Sequence, residues 1–488
     1  MNLLKTLVLV ASMSAVSSSA VAQNEFTWTE QDAWTAYDAF FENFIDKSRR
    51  IYKADTKQPS ADHRGNGYRD KDVSGCAAAI WCQAPYFDMA INAVKLSQNS
   101  TELKSAKKKY YKNWMSYIYK GEKSHYTNFD FDDNNTNNGW FIYDDIMWWT
   151  CALARAYEFD PSVSDYLKYS EASFCRVWYG SEKVGDTGSY SNPESVGQTG
   201  GMYWQWQPIE NPNANKDGDY KSACINFPAV CAMATLYQIV PEGRETPTEK
   251  YPTYQTKEFY KEKAIEIYAW AKEHLVPNSG RVADGMHGGQ PEYSNHLYNQ
   301  ATYIGASCLL YKITGEKQYL NNAKQAVTYT KNIMCKKNDD GIYVLPYETG
   351  YEQGIYCAIF AQYMDMFINE LGQGDWKDCK KWIRQNIQLA WNNKNSNNLN
   401  NGKFNEKTSD DEVIESYGAS AMPALMLLFP AQDAQTDGIS QVENSDCQSD
   451  DVIYSIEGKA LRINATCADL DTLGKGLYIL NGEKYAVR

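Results

Sequence analysis

The chain has 488 residues, 43% of them hydrophobic, and a formal net charge of −13. That apolar content supports a large core, and the acidic balance excludes nucleic acid or anionic lipid as the partner, because both require a basic face. The five histidines fall in no zinc-type spacing, so neither a metal nor an organic cofactor is indicated.

Residues 1–22 read as an export signal. One early lysine precedes a short apolar run, and Ala20-Val21-Ala22 forms an A-x-A cleavage pattern. The run is too short to span a bilayer stably. The expectation is an exported bacterial protein that is periplasmic, cell-surface or secreted, with no transmembrane segment in the mature chain. Residues 23–430 then form the main domain.

Within it, six segments are apolar on nearly every face and rich in small residues: 76–96, 144–159, 222–240, 299–313, 354–368 and 416–429. A helix apolar all round is buried on all sides. Each is preceded by an amphipathic segment with one charged face, at about 30–51, 101–118, 163–179, 256–274, 317–335 and 375–392. Outer and inner helices alternating six times predict an all-α fold, an (α/α)6 toroid of six helical hairpins. The connections entering the inner helices are long and polar, so a toroid gathers them on one rim, where function usually sits. Residues 431–448 read as a polar linker. Residues 449–488 carry short β-rich runs and an Asn481-Gly482 hairpin signal, predicting a small C-terminal β-rich module.

Of the twelve cysteines, Cys151, Cys224, Cys231, Cys308 and Cys357 fall in apolar helical runs, where cysteine acts as a small core residue. Cys76 with Cys82 and Cys447 with Cys467 are the pairs placed to bridge.

The chemistry concentrates at "GWFIYDDIMWWTCALARAYEF", residues 139–159, where one polar loop enters an inner helix. Asp144 and Asp145 are adjacent. Glycoside hydrolysis needs one carboxyl protonated and one ionised, and neighbouring carboxylates achieve this because ionising one raises the pKa of the other. Consecutive Cα atoms are about 3.8 Å apart, and their carboxyl groups easily reach the roughly 5–5.5 Å of a retaining mechanism. A plain helix N-terminus would also favour acidic residues here. A prenyl-diphosphate metal clamp would need a third aspartate that is missing. The EF-hand-like start at Asp130, Asp132 and Asn134 lacks the turn glycine and closing glutamate. Aromatic residues are abundant (37 Tyr, 14 Trp, 16 Phe), and many sit on the long loops, where rings with polar edges suit sugar faces.

At "YDDIMWW" (143–149), "GGMYWQW" (200–206), "KSACINFPAVCAMATLY" (221–237) and "YNQATYIGASCLLYKITGEKQYL" (298–320), the chain resembles glycoside hydrolase family 76, the bacterial and fungal α-1,6-mannanases. The resemblance implies an (α/α)6 toroid and endo-acting, retaining hydrolysis of α-1,6-mannan backbones. Asp144 would be the nucleophile and Asp145 the general acid/base. Tyr143, Trp148, Trp149, Tyr203, Trp204, Asn226, Tyr298, Asn299 and Gln300 would bind substrate, which is a mannan polysaccharide or mannooligosaccharide taken by a monomer. A mannan-binding accessory protein on the same scaffold, and a transglycosylase of the same family, are the alternatives. The ending "LGKGLYILNGEKYAVR" resembles the C-terminal signal of Bacteroidota secretion-sorting domains.

Overall fold

The computed structural model describes residues 26–61, 77–133, 140, 142–193, 199–205, 220–276, 279–287, 289–371 and 377–432, together with short segments between 439 and 487. The expected signal segment 1–22, most of the expected linker 431–448, Cys76 and Cys447 lie outside the described residues. The chain divides into two compact units, one being Phe26–Ala431.

In that unit the amphipathic helices are α1 (Glu30–Phe44), α3 (Ser105–His125), α5 (Ser164–Tyr179), α7 (Lys257–Leu275), α9 (Lys317–Tyr329) and α11 (Lys377–Asn392). The all-round apolar ones are α2 (Ile80–Asn99), α4 (Tyr143–Phe159), α6 (Ala223–Ile239), α8 (Leu297–Thr314) and α10 (Tyr356–Asp365). The sixth inner helix is split at Ser420 into α12 (Ser416–Ala419) and α13 (Ala421–Leu428). Each inner helix packs on the next, α2 on α4, α4 on α6, α6 on α8, α8 on α10, α10 on α13, and α13 back on α2. The inner ring is therefore closed, and the fold is the α/α toroid. For α2, α4, α6 and α8 the outer helix that packs most closely is the one that follows, as in α2 with α3, and α1 closes the circle on α13.

Small residues permit this packing. A Cβ on Gly305 of α8 would lie 2.1 Å from the Tyr363 ring of α10, so only glycine lets these two helices approach. At the N-terminus of α1, Thr29 and Asp32 form a reciprocal capping box. The helix expected over 30–51 stops at Phe44. Beyond it the Asp46 carboxylate accepts the backbone N–H groups of Ser48, Arg49 and Ala61, which fixes a turn between two short strands, Ile45–Asp46 and Ile51–Tyr52. Cys82 is a buried thiol and a core residue of the apolar helix α2.

Strands Lys221–Ser222, Gly285–His287 and Gln290–Glu292 form an antiparallel sheet where the loops before α6 and α8 meet. The other unit contains a five-stranded sheet built from short strands between Ile439 and Val487. Strands Gly476–Leu480 and Glu483–Val487 pair antiparallel, and Ile439–Ser440 adds parallel to the latter. No described helix is long and apolar enough to cross a membrane.

Candidate active site

Asp144 and Asp145 occupy the first turn of α4, where unpaired backbone N–H groups and the helix dipole favour negative charge. Both are buried at the wall of a cavity of about 270 Å³. Aromatic side chains complete that wall. Tyr298 at the start of α8 stacks on Tyr356 at the start of α10, with centroids 4.0 Å apart and planes 12° apart. Trp81 of α2 and Trp204 of the 199–205 loop also face the cavity. Rings and carboxyl groups around a small concavity match what a sugar ring requires, an apolar face with hydrogen-bonding edges.

The two aspartates differ electrostatically. Burial pushes the Asp144 carboxyl up to about 7, while hydrogen bonds from the Cys224 thiol, the Trp204 indole and the local backbone act in the opposite direction, favouring the carboxylate. Asp145 is pushed well above the usual carboxylate range, first by burial and then by the neighbouring Asp144 and Glu352 carboxyl groups. Among the described residues, no donor offsets this at Asp145. The hydrogen bonds thus favour the carboxylate form at Asp144, and the neighbouring carboxyl groups oppose it at Asp145.

Several contacts hold this turn in place. Tyr143 N–H donates to the Trp204 carbonyl (3.1 Å), tying the aromatic loop to the start of α4. The Tyr143 hydroxyl donates to Asp186 Oδ1 (2.5 Å), and Asp186 also pairs with the buried Arg176 guanidinium. Asn226 exchanges two hydrogen bonds with the Met202 backbone (2.9 and 3.1 Å). Asn299 Nδ2 donates to Asp284 Oδ1 (2.8 Å), and the Asp284 backbone is pinned between Ala223 and Glu292.

Of the residues singled out in the sequence, Asp144, Asp145, Trp204 and Tyr298 come together on the cavity. The others do not line it. Tyr143, Asn226 and Asn299 stand behind it in the contacts just described. Gln300 accepts from Val282 N–H (2.8 Å) and donates to the Gly280 carbonyl (3.0 Å), fastening the loop before α8. Trp148 and Trp149 lie one helical turn beyond the aspartates. Trp148 packs under Trp81 and Tyr298, whereas Trp149 is core, donating to the Ile80 carbonyl (3.0 Å). Tyr203 carries the Lys221 ammonium over its ring at 4.6 Å. Sequence reasoning missed Trp81, Tyr220, Cys224, Asp284, Glu352 and Tyr356, all on the cavity wall. Trp81, Tyr220, Cys224, Glu352 and Tyr356 share a position at or just before the start of an inner helix, whereas Asp284 lies beside the strand Gly285–His287.

The model of glycosyl hydrolase family 76 matches residues 51–436. No curated protein matches the sequence. Among solved structures, the GH76A α-1,6-mannanase from Salegentibacter sp. HEL1_6 is similar at TM-score 0.60 and 20% identity, covering 82% of this chain and 98% of that one. An inactive variant of that enzyme, with two consecutive aspartates replaced by asparagine, is known in complex with α-1,6-mannotriose and is similar at TM-score 0.59 and 19% identity, with coverage of 82% and 98%. The family 76 mannosidase Bt3792 from Bacteroides thetaiotaomicron VPI-5482 is similar at TM-score 0.59 and 16% identity, covering 82% of this chain and 96% of that one.

Proposed function

Since the chain belongs to glycosyl hydrolase family 76 and is a glycoside hydrolase, we propose that it is an exported, endo-acting enzyme that cleaves α-1,6-mannosidic linkages in mannan backbones with retention of configuration. The observation that carries this reading is the adjacent, buried aspartate pair on an aromatic-walled cavity. The likeness of the fold to an α-1,6-mannanase supports the choice of substrate.

In the first step Asp145 protonates the departing glycosidic oxygen while Asp144 attacks the anomeric carbon, giving a glycosyl ester on Asp144. In the second, Asp145, now a base, takes a proton from water, and that water displaces Asp144. The donors around Asp144 fit a nucleophile that must be ionised, and the unassisted burial of Asp145 fits an acid that must hold its proton. Trp81, Trp204, Tyr298 and Tyr356 supply the faces against which sugar rings rest.

The test is incubation of the wild-type protein with unbranched α-1,6-mannan, with products separated by size over time. A spread of short mannooligosaccharides from the outset supports endo action. Mannose alone would indicate exo action. Tight mannan binding without new reducing ends, from folded protein, would replace the hydrolase reading with that of a binding protein on the same scaffold.

A further inference from the structure

The loop before α10 reaches back to the start of α8. Glu348 Oε1 accepts the backbone N–H of Leu297, the first residue of α8 (2.7 Å), and Glu348 Oε2 lies 2.5 Å from Nδ1 of His296. An ionised carboxylate has no hydrogen to give, so Nδ1 carries the hydrogen of that bond. One side chain thereby fixes both the tautomer and the orientation of the imidazole. The ring stands against the aromatic wall of the cavity. Its centroid is 6.0 Å from Tyr298 and 5.8 Å from Tyr356, with planes at 64° and 75°, so it meets the tyrosine stack edge-on.

Across the ring, Nε2 has no hydrogen-bond partner among the described residues and is open to solvent, the side chain being 23% exposed. A polar atom held rigid, left unpaired and set beside stacking rings suits a ligand hydroxyl. Neutral, Nε2 accepts; protonated, it donates; a sugar hydroxyl answers both. Burial lowers the imidazole pKa, but the Glu348 hydrogen bond and charge, and then Asp284 of the cavity wall, leave it above its usual value. The cavity, at about 270 Å³, lies at the small end of ligand pockets and has room for little more than one sugar ring. An endo-acting enzyme must hold the adjoining units of the chain outside it. We infer that His296 is a substrate-binding residue of a subsite on the cavity rim, where its Nε2 hydrogen-bonds a hydroxyl of a sugar unit next to the one in the cavity. This rests on the assignment of α-1,6-mannan as substrate.

The first arm of the test is kinetic. On α-1,6-mannohexaose, H296A should lose about tenfold in kcat/KM, the size of one hydrogen bond. The loss should fall on KM, because a contact made equally in the ground and transition states is uniform binding. H296Q, whose amide can reach the place of Nε2, should recover part of it. A loss carried by kcat that H296Q does not rescue would make His296 a prop for the tyrosine stack and overturn the inference. The second arm is NMR of D144N protein carrying isotope-labelled histidine, with the His296 Nε2 signal identified by its loss when H296Q is added. That signal should move when mannohexaose saturates the protein, and this arm stands even if H296A does not fold. An unchanged KM in H296A, or an Nε2 signal that stays in place at saturation, overturns the inference. A wild-type protein that neither binds nor cleaves mannohexaose removes the mannan assignment and this inference with it, whereas cleavage with KM and signal unmoved defeats this inference alone.

Discussion

Replacing Asp144 by Asn should make the protein more stable at alkaline pH while abolishing its activity. Burial holds the folded-state carboxyl at about 7 against an ordinary value of 3.8. Below pH 4 the group is protonated in both folded and unfolded chains and contributes nothing differential. Between those values the unfolded chain has released its proton and the folded chain has not. Stability therefore falls as pH rises through this window. A gap of about three pH units corresponds to roughly 4 kcal/mol once the window is passed. Asn cannot ionise, and its carbonyl oxygen can accept from Trp204 and Cys224, so D144N escapes the pH-dependent loss. For about four hundred ordered residues the unfolding entropy is on the order of 0.85 kcal/mol/K, so the Tm difference between D144N and wild type should grow by about 3–5 °C from pH 4 to pH 8. Thermal unfolding of both proteins across that range, followed by circular dichroism, measures it. Any constant cost of placing an amide there cancels in the comparison between pH values. A Tm difference that is the same at pH 4 and pH 8 would refute the claim that the folded state imposes this penalty on Asp144.

Other perturbations reach different parts of the account. D145N should lose about 10²–10⁴-fold on mannan but much less on an aryl mannoside with a good leaving group, which needs little protonation; equal losses on both would remove Asp145 from the acid role. D186N should destabilise the protein by about 1–3 kcal/mol, because the buried Arg176 guanidinium keeps only the more exposed Asp132 as a charged partner, and denaturant unfolding should register this together with a lower kcat as Tyr143 loosens. G305A should cost about 1–3 kcal/mol by driving a methyl group into the Tyr363 ring, and an unchanged midpoint would mean that α8 and α10 have room to separate.

The ring of helices was legible because burial on every face leaves a compositional trace. A segment such as "ACINFPAVCAMATLYQI" can only be interior, and its charged partner helices can only be exterior. Helix ends were less legible. The stop at Phe44 depends on the Asp46 side chain capturing backbone groups as far away as Ala61, which no local periodicity announces. In the site, Asp144 and Asp145 stood out because two adjacent charges among aromatic residues are costly. Glu352 and Asp284 gave no such signal. They sit on a short turn and beside a three-residue strand, and only closure of the ring brings them to the aspartates. The aromatic residues adjacent to the pair were misleading for the same geometric reason. Along a helix, neighbours in sequence point in different directions, so Tyr143 turns to Asp186 and Trp149 to the core.

The central claim is a double displacement through Asp144, with Asp145 as acid and base. Proton NMR of the reducing-end anomer during the first minutes of α-1,6-mannan hydrolysis, before mutarotation, tests it most directly. The account predicts that the α-anomer accumulates first and that D144A produces neither anomer. Initial accumulation of the β-anomer would show a single displacement by water, and would contradict the assignment of Asp144 as nucleophile.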